Sequence, residues 1–373
     1  MLFAFIIFII IFTFLIISHE LGHFLVAKKL GIKVEEFGIG FPPRMCGKKI
    51  GETIYSINWI PFGGFVKIYG EDPDEENTKD LKSFAGRPPL QKAFVLLAGV
   101  TVNFLVATII FYFLLGFNGF ETYQSQFFDY EFPFGQQENF SAVSMVVDGS
   151  PADLAGIKAF DLVLMGNEEN LRNSDEVISF INEHKGEEIS LFLKNIHTKE
   201  ERLVKIVPRI NPPEDEGATG IALSDVSHLK YESFGEKISA GILHTLNLGD
   251  FSFRAMGSLM KTSISERDIK PLSNSVSGPV GILVFTKLSM DGGIWQIFYL
   301  IAAISLALGM INILPIPAAD GGRLVFVLYE AIFKKRAPAK LERRVNVVGF
   351  FILIILLLLV TFKDIVQFKD ILF

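Results

Sequence analysis

Residues 1–29 read MLFAFIIFIIIFTFLIISHELGHFLVAKK, and this stretch decides the architecture of the chain. Every residue from Met1 to Ile17 is apolar except Thr13, which is typical of a helix that enters a lipid bilayer. The same helix carries the motif His19-Glu20-Leu21-Gly22-His23 to membrane depth. Ionisable side chains are costly in a membrane, and where they occur they usually serve a function.

The spacing of the two histidines indicates a metal site. Residues four apart lie on one face of a helix, so the imidazoles of His19 and His23 can bind a single ion. Glu20 lies beside them and is the candidate general base that activates water, as in the HExxH arrangement of zinc hydrolases. A chance match to this pattern is the alternative, and the membrane setting argues against it.

Composition sets the class of protein. Half of the 373 residues are hydrophobic, and 37 are Phe, which indicates an integral membrane protein. A net charge of -6 and the absence of a basic stretch interleaved with aromatic residues argue against nucleic-acid binding. The single cysteine, Cys46, excludes an internal disulfide and a cysteine zinc cluster. The first segment lacks basic residues before its apolar run, so we expect a retained helix rather than a signal peptide.

Four long apolar segments occur, at residues 2–27, 90–117, 294–314 and 346–362. We therefore predict a polytopic α-helical membrane protein with about four transmembrane helices. The second segment contains Gly99 and Asn103, and a small residue with an amide suits close helix packing. A contact of Asn103 with substrate is the alternative.

Residues 35–70 contain two glycine-rich apolar pieces, Phe37-Gly38-Ile39-Gly40-Phe41 and Trp59-Ile60-Pro61-Phe62-Gly63-Gly64-Phe65-Val66. Residues 54–59 and 65–69 have strand-like composition. We expect a small sheet or hairpin that dips into the membrane beside the site, where non-helical backbone is tolerated only if it is buried or lines a cavity. An ordinary hairpin outside the membrane is the alternative.

Residues 142–210 alternate strand and helix patterns, with a predicted helix cap at Asn173-Ser174, and indicate a compact water-soluble α+β unit. After a proline- and glycine-containing linker, residues 234–260 show apolar side chains at steps of three and four, which predicts an amphipathic helix on or in the membrane. His244 on this helix is expected at the membrane interface, with metal binding as the alternative.

The third apolar segment leads into Asn312-Ile313-Leu314-Pro315-Ile316-Pro317-Ala318-Ala319-Asp320-Gly321-Gly322. Two prolines interrupt helical hydrogen bonding, so the backbone is expected to unwind and present Asp320 at the membrane. A zinc ion that keeps one position for water needs a third protein ligand, and Asp320 is the candidate. A simple helix cap is the alternative for Asp320.

Charge near the membrane ends predicts the topology. Residues 118–157 contain no Lys or Arg, whereas basic residues flank the first loop and fill the third. We therefore expect both of these loops and the metal site near the cytoplasmic face, with the α+β unit and both termini outside. The basic residues concerned are Lys28, Lys29, Lys33, Arg87, Lys92, Lys334, Lys335, Arg336, Lys340, Arg343 and Arg344.

The HExxH motif together with the NxxPxPxxDG pattern from Asn312 to Gly321 resembles the site-2 protease family of intramembrane zinc metalloproteases, in its bacterial members that carry a PDZ domain. Further matches are Phe37-Gly38-Ile39-Gly40, Ser277-Gly278-Pro279-Val280-Gly281 and Gly149-Ser150-Pro151-Ala152. The chain differs from the family pattern at Ala319, where Leu is usual, and at Phe160, where Gly is usual.

The resemblance implies a membrane protease core in residues 1–117 and 294–373. A PDZ-like extracytoplasmic domain would occupy 118–213, with its core at 142–210, and a linker with a membrane-proximal helix would occupy 214–293. It implies Zn²⁺ held by His19, His23 and Asp320, with Glu20 as the base. The substrate-binding residues it implies are Asn312, Pro315, Pro317, Gly38 and Gly40.

Resemblance also implies the partners: single-span membrane proteins, such as anti-sigma-factor-like proteins or remnant signal peptides, trimmed first by a site-1-type protease. The expected location is the bacterial cytoplasmic (inner) membrane. A rival interpretation is a membrane scaffold that binds partners through its PDZ-like domain, although a scaffold has no need of Glu20. Another is a metal-dependent enzyme acting on lipid or a small molecule, against which the peptide-docking domain argues.

Overall fold

The computed structural model describes residues 1–72, 80–214 and 216–372. The helices are α1 (Leu2–Lys29), α2 (Pro89–Phe117), α3 (Pro151–Leu154), α4 (Ser174–Glu183), α5 (Phe234–Glu266), α6 (Lys270–Ser275), α7 (Pro279–Asp291), α8 (Ile294–Ile313), α9 (Asp320–Phe333), α10 (Ala339–Gln367) and α11 (Lys369–Leu372). The strands are β1 (Val34–Ile50), β2 (Thr53–Ile68), β3 (Glu121–Gln126), β4 (Gln136–Val146), β5 (Asp161–Gly166), β6 (Glu169–Asn170), β7 (Ile189–Asn195), β8 (Glu201–Ile206) and β9 (Ile221–Lys230). The chain forms two compact units, Met1–Leu114 with His244–Phe373, and Leu115–Leu243.

Four helices in the described part of the chain are long and apolar enough to cross a membrane: α1, α2, α8 and α10. This confirms the predicted number of apolar helices. The fourth is longer than the predicted segment 346–362, since it begins at Ala339 and covers 29 residues. Its first turns contain charged residues such as Lys340 and Arg343, which are good helix formers and extend the helix beyond its apolar part.

Helices α1 and α2 approach each other closely through glycine. A Cβ atom on Gly22 of α1 would lie 2.5 Å from the carbonyl oxygen of Ala98 on α2, so a larger residue does not fit there. The C-terminal end of α1 and the N-terminal part of α2 also pack with the start of β1 and the end of β2. Buried residues in this cluster include Ala27, Val34 and Val95. This packing fixes the helix that carries the histidines against α2.

Strands β1 and β2 are long, antiparallel and bent, so the two-stranded sheet contains four extended segments. Gly38 pairs with Phe65 on one side and with Ser56 on the other, and Ser56 also pairs with Gly47. The predicted sheet at residues 35–70 is therefore present, and Gly38 lies on one of its inner segments. Its insertion into the membrane stays a prediction.

The second unit is built on a seven-stranded antiparallel sheet with the order β3-β9-β4-β5-β7-β8, in which β6 pairs with β5. Its core contains Val163, Val177 and Leu191, all buried. The predicted cap of α4 is confirmed, because Oδ1 of Asn173 accepts a hydrogen bond from the backbone N–H of Glu176 at 2.8 Å. Phe160 adopts a positive φ of 70°, the conformation that glycine adopts most readily.

The sheet is larger than the predicted domain core 142–210. The prediction of a linker beginning at residue 214 is wrong for residues 221–230, which form β9 in the interior of the sheet, paired with β3 and β4. Ser224, Asp225 and Ser227 gave this segment a loop-like composition. Asp225 has a structural role, since its carboxylate accepts hydrogen bonds from the backbone N–H and the hydroxyl of Ser174 at the start of α4.

Helix α5 confirms the predicted amphipathic helix and extends it to Glu266. Its apolar side chains Ile242 and Phe253 are exposed, whereas its polar residues His244 and Asn247 are buried. His244 is 2% exposed and lies edge-to-face with Phe111 of α2 at 5.0 Å, so it is buried within the protein, and its expected position at the membrane interface stays a prediction. An exposed apolar side with a buried polar side suits contact with lipid.

Candidate metal centre

Three side chains from two helices converge on one point. Nε2 of His19 and Nε2 of His23, both on α1, are 3.1 Å apart. Oδ2 of Asp320, the first residue of α9, lies 3.0 Å from the first and 3.3 Å from the second. Among the described residues, these three form the group of His, Cys, Asp and Glu side chains that can hold a metal ion.

The distances fit a zinc ion. Donor atoms bound tetrahedrally at about 2.0–2.1 Å from zinc lie about 3.3 Å from one another. The two histidines are 8% and 6% exposed, and Oδ2 of Asp320 is buried and accepts no hydrogen bond. Three buried atoms with lone pairs at such distances repel one another unless a cation or a shared proton lies between them. The donor set of two imidazoles and one carboxylate is also typical of catalytic zinc, which keeps a further position open.

A backbone carbonyl group determines which ring nitrogen of His23 carries the proton. Nδ1 of His23 lies 2.8 Å from the backbone oxygen of Val95, which can only accept a hydrogen bond. Nδ1 therefore carries the proton and donates a hydrogen bond to this oxygen. As a result, Nε2 of His23 presents its lone pair to the metal position, and the ring orientation is fixed.

A break between α8 and α9 brings Asp320 to the histidines. Residues 314–319 are not helical, as predicted from the two prolines, and Ala318 has a φ of 70°. The chain folds back so tightly that a Cβ atom on Gly321 would lie 2.1 Å from the carbonyl oxygen of Leu314. The helix-cap alternative for Asp320 is wrong, because Ala319 occupies the cap position and no side chain caps the helix.

Gly99 of α2 faces the same point. A Cβ atom at this residue would lie 2.4 Å from Nε2 of His23 and 2.7 Å from Nε2 of His19. Any side chain would therefore lie against the atoms that face the metal position. The prediction that Gly99 serves helix packing describes only part of its role, since the missing side chain also leaves room at the metal centre.

The strand segment 61–66 lies along α1 and contacts the candidate base. Oε2 of Glu20 accepts a hydrogen bond from the backbone N–H of Val66 at 3.0 Å. About two helical turns before Glu20, the hydroxyl of Thr13 donates to the carbonyl oxygen of Pro61 at 3.2 Å, and it accepts from the N–H of Gly63 at 3.3 Å. Thr13, the one polar residue before Ser18, thus anchors this segment to the membrane helix.

The structure brings some of the other predicted site residues close to the ligands and leaves others further away. Asn312 lines a small cavity together with Asp320, and Pro315 and Pro317 lie in the break that leads to α9. Gly38 and Gly40 are not brought to the ligands directly. Gly38 pairs with Phe65, so the segment 61–66 lies between the Gly38 segment and α1.

Two contacts of the histidines were not predicted from the sequence. The contact of His23 with the carbonyl of Val95 cannot be predicted from a sequence, because every residue has a backbone carbonyl. Asn103 is fully buried, and its side-chain amide lies 3.2 Å from Nδ1 of His19. A polar residue four positions after Gly99, inside an apolar helix, was the signal that could have indicated this contact.

Comparisons with known proteins agree with this geometry. The sequence profile described as Peptidase family M50 matches residues 7–356. A relative from Clostridium perfringens, whose name includes the term zinc metalloprotease, is 34% identical over 355 residues, covering 95% of this chain and 96% of the relative. A relative from Rickettsia conorii, whose name includes the same term, is 31% identical, covering 96% and 97%. The zinc metalloprotease RasP of Geobacillus kaustophilus is 27% identical, covering 97% of each chain.

Proposed function

This chain belongs to peptidase family M50 and is a zinc metalloprotease of the membrane, and from this premise we propose that it cleaves single-span membrane proteins within or near the bilayer. The observation that carries the proposal is the convergence of Asp320 with His19 and His23, which lie on a helix long and apolar enough to cross a membrane. Anti-sigma-factor-like proteins and remnant signal peptides are the proposed substrate classes.

His19, His23 and Asp320 hold the zinc ion in this proposal. Zinc supplies Lewis-acid chemistry at the scissile carbonyl when it is bound. Glu20 takes a proton from the attacking water as the new carbon–oxygen bond forms, and gives a proton to the leaving amide nitrogen as the carbon–nitrogen bond breaks. The N–H of Val66 donates to Oε2 of Glu20 and so orients the carboxylate for this transfer.

A transmembrane substrate must lose its helical hydrogen bonds before its carbonyl carbon can be attacked. The non-helical residues 314–319, with Asn312, Pro315 and Pro317, are proposed to hold the extended substrate strand through backbone and amide hydrogen bonds. Gly38 and Gly40 are proposed to assist by supporting the segment 61–66 beside α1. A Cβ atom on Gly38 would lie 2.5 Å from the ring of Phe65, which supports a requirement for glycine there.

We further propose that the second unit is an extracytoplasmic PDZ-like domain that admits substrates already trimmed by an upstream site-1-type protease. The proposed location is the bacterial cytoplasmic (inner) membrane, with the zinc site near the cytoplasmic face. The charge asymmetry of the loops supports this orientation. The contact of Glu20 with Val66 and the membership of peptidase family M50 both argue against the rival interpretation as a non-proteolytic scaffold.

Two tagged single-span reporters test the proposal. One carries a short outer segment and the other a bulky folded outer domain, and each is incubated with the purified full-length protein in membranes of defined lipid. The full-length protein is expected to cut the short reporter in or near its span and to spare the bulky one. Failure to cut the short reporter would overturn the proposed cleavage of single-span membrane proteins.

The same assay tests the size filter with a deletion variant. Glu121 and Lys230 are paired at the end of β3 and β9, so residues 122–229 can be replaced by a short turn that joins neighbouring positions. Removing only 142–210 would leave β3 and β9 without their sheet. The deletion variant is expected to cut both reporters at similar rates, whereas continued exclusion of the bulky reporter would rule the filter out.

A further inference from the structure

Asn103 lies where its side chain can determine which ring nitrogen of His19 carries the proton. It is fully buried on α2, and Nδ2 of its amide is 3.2 Å from Nδ1 of His19. Its backbone oxygen accepts a hydrogen bond from the hydroxyl of Ser305 on α8 at 2.9 Å, which holds this part of α2 in place. Oδ1 of the same amide is buried and has no hydrogen-bond partner.

The orientation of this amide decides which ring nitrogen of His19 carries the proton. An amide can present its oxygen or its NH₂ group in nearly the same space. If the NH₂ group faces Nδ1, the proton of a neutral His19 must lie on Nε2, where it points to the metal position and prevents binding. If the oxygen faces Nδ1, the ring donates its Nδ1–H to that oxygen, and Nε2 keeps its lone pair.

We propose that Asn103 is a positioning residue whose amide oxygen accepts a hydrogen bond from Nδ1–H of His19 and thereby directs Nε2 to the zinc ion. This orientation gives Oδ1 a partner and places the NH₂ group at the buried position where the oxygen has none. The inference rests on the proposed zinc site and assigns a function to a residue that provides no ligand.

The pattern along α2 supports this assignment. Val95, Gly99 and Asn103 are four residues apart and therefore lie on one stripe of the helix. The carbonyl of Val95 accepts from Nδ1 of His23, and the amide of Asn103 meets Nδ1 of His19. Gly99 lies between them and faces both Nε2 atoms. One stripe of α2 thus orients both histidines of α1 and leaves space for the ion.

A purely structural role is the competing interpretation, in which Asn103 only joins α2 to its neighbours. Three variants of the full-length protein separate the two. Asn103→Leu has a similar size and no hydrogen-bond acceptor, whereas Asn103→Asp keeps the acceptor, as in carboxylate–histidine–zinc arrangements. Thr101→Val is the matched control, because Thr101 is an exposed polar residue of the same helix whose hydroxyl donates to the carbonyl of Leu97.

The measurements are zinc affinity, by competition with a chelator of known affinity, and the thermal unfolding temperature of the zinc-free protein. We expect Asn103→Leu to weaken zinc binding by about 10- to 100-fold, the range found when partners of metal-binding histidines are removed. Asn103→Asp and Thr101→Val are expected to bind zinc as tightly as the wild type. The unfolding temperature of the zinc-free Leu variant reports any separate loss of packing.

Two results would overturn the inference while leaving the zinc site intact. One is an Asn103→Leu variant that binds zinc as tightly as the wild type. The other is a loss of affinity that is equal in the Leu and Asp variants, which would show that the acceptor is irrelevant. A wild-type protein without measurable zinc affinity would instead overturn both the proposed function and this inference.

Discussion

Replacing Glu20 by Gln is expected to reduce cleavage of a single-span reporter by about 10²- to 10⁴-fold, the usual contribution of a general base. The substitution keeps the size of the side chain and an oxygen that can accept the hydrogen bond from Val66. It removes the ability to take a proton from water. Zinc content is expected to remain at the wild-type level, since His19, His23 and Asp320 are unchanged.

A matched control for this variant is Glu35→Gln, which changes a carboxylate of β1 that pairs with Lys67 at 2.8 Å. Cleavage by this control is expected to equal that of the wild type. Equal cleavage by wild type and Glu20→Gln would show that another group acts as the base. If Glu20→Gln lost its zinc as well, Glu20 would have to be reassigned as a residue that holds the site together.

Replacing Gly99 by Ala is expected to abolish zinc binding and, with it, all cleavage. The new methyl group would lie 2.4 Å from Nε2 of His23 and 2.7 Å from Nε2 of His19, far inside van der Waals contact. Relief would require α2 to move away from α1, which would open the close contact between Gly22 and the backbone of Ala98. The measurement is zinc per chain after dialysis against a low zinc concentration.

Gly116→Ala provides the control on the same helix. A Cβ atom there would meet only the ring of Phe120 at 3.9 Å, which is an ordinary contact. This variant is expected to bind zinc and to cleave as the wild type does. Full zinc occupancy in Gly99→Ala would mean that the ion lies elsewhere, and the position of Gly99 beside the histidines would then have only a packing role.

The convergence of His19, His23 and Asp320 was predictable from the sequence because its constraints are local. The spacing of His19 and His23 places them on one helical face, and the coordination of zinc demands a third ligand. Pro315 and Pro317 end a membrane helix just before Asp320, which marks the carboxylate that can reach membrane depth. Each of these steps depends only on the properties of a few residues that are close together in the sequence.

The contacts that orient the ligands were not predictable, because they depend on how two helices are aligned. Nothing in the sequence states that Asn103 faces His19 rather than α8, and its interpretation as a packing residue followed from composition alone. The contact of Glu20 with Val66 likewise depends on the register of a bent strand along α1. Gly38 and Gly40 belong to a family motif, yet a strand segment separates the Gly38 segment from α1.

The size of the second unit was missed for a related reason. Strand β9 contains Asp225 and His228, whose side chains form hydrogen bonds with Ser174 and Glu121. In a sequence alone, polar residues that form hydrogen bonds inside a folded sheet cannot be told apart from the polar residues of a loop. Buried apolar positions such as Ile189 and Leu191 on β7, by contrast, are visible as an alternating pattern in the sequence.

The X-ray absorption spectrum at the zinc edge, recorded on the purified full-length protein, tests the metal centre most directly. We predict about one zinc per chain, bound by nitrogen and oxygen atoms at about 2.0–2.2 Å, with the scattering pattern of two imidazoles. A protein that binds no zinc would contradict the assignment. So would a spectrum with a sulfur ligand at about 2.3 Å, which would place the ion at Cys46 instead of at His19, His23 and Asp320.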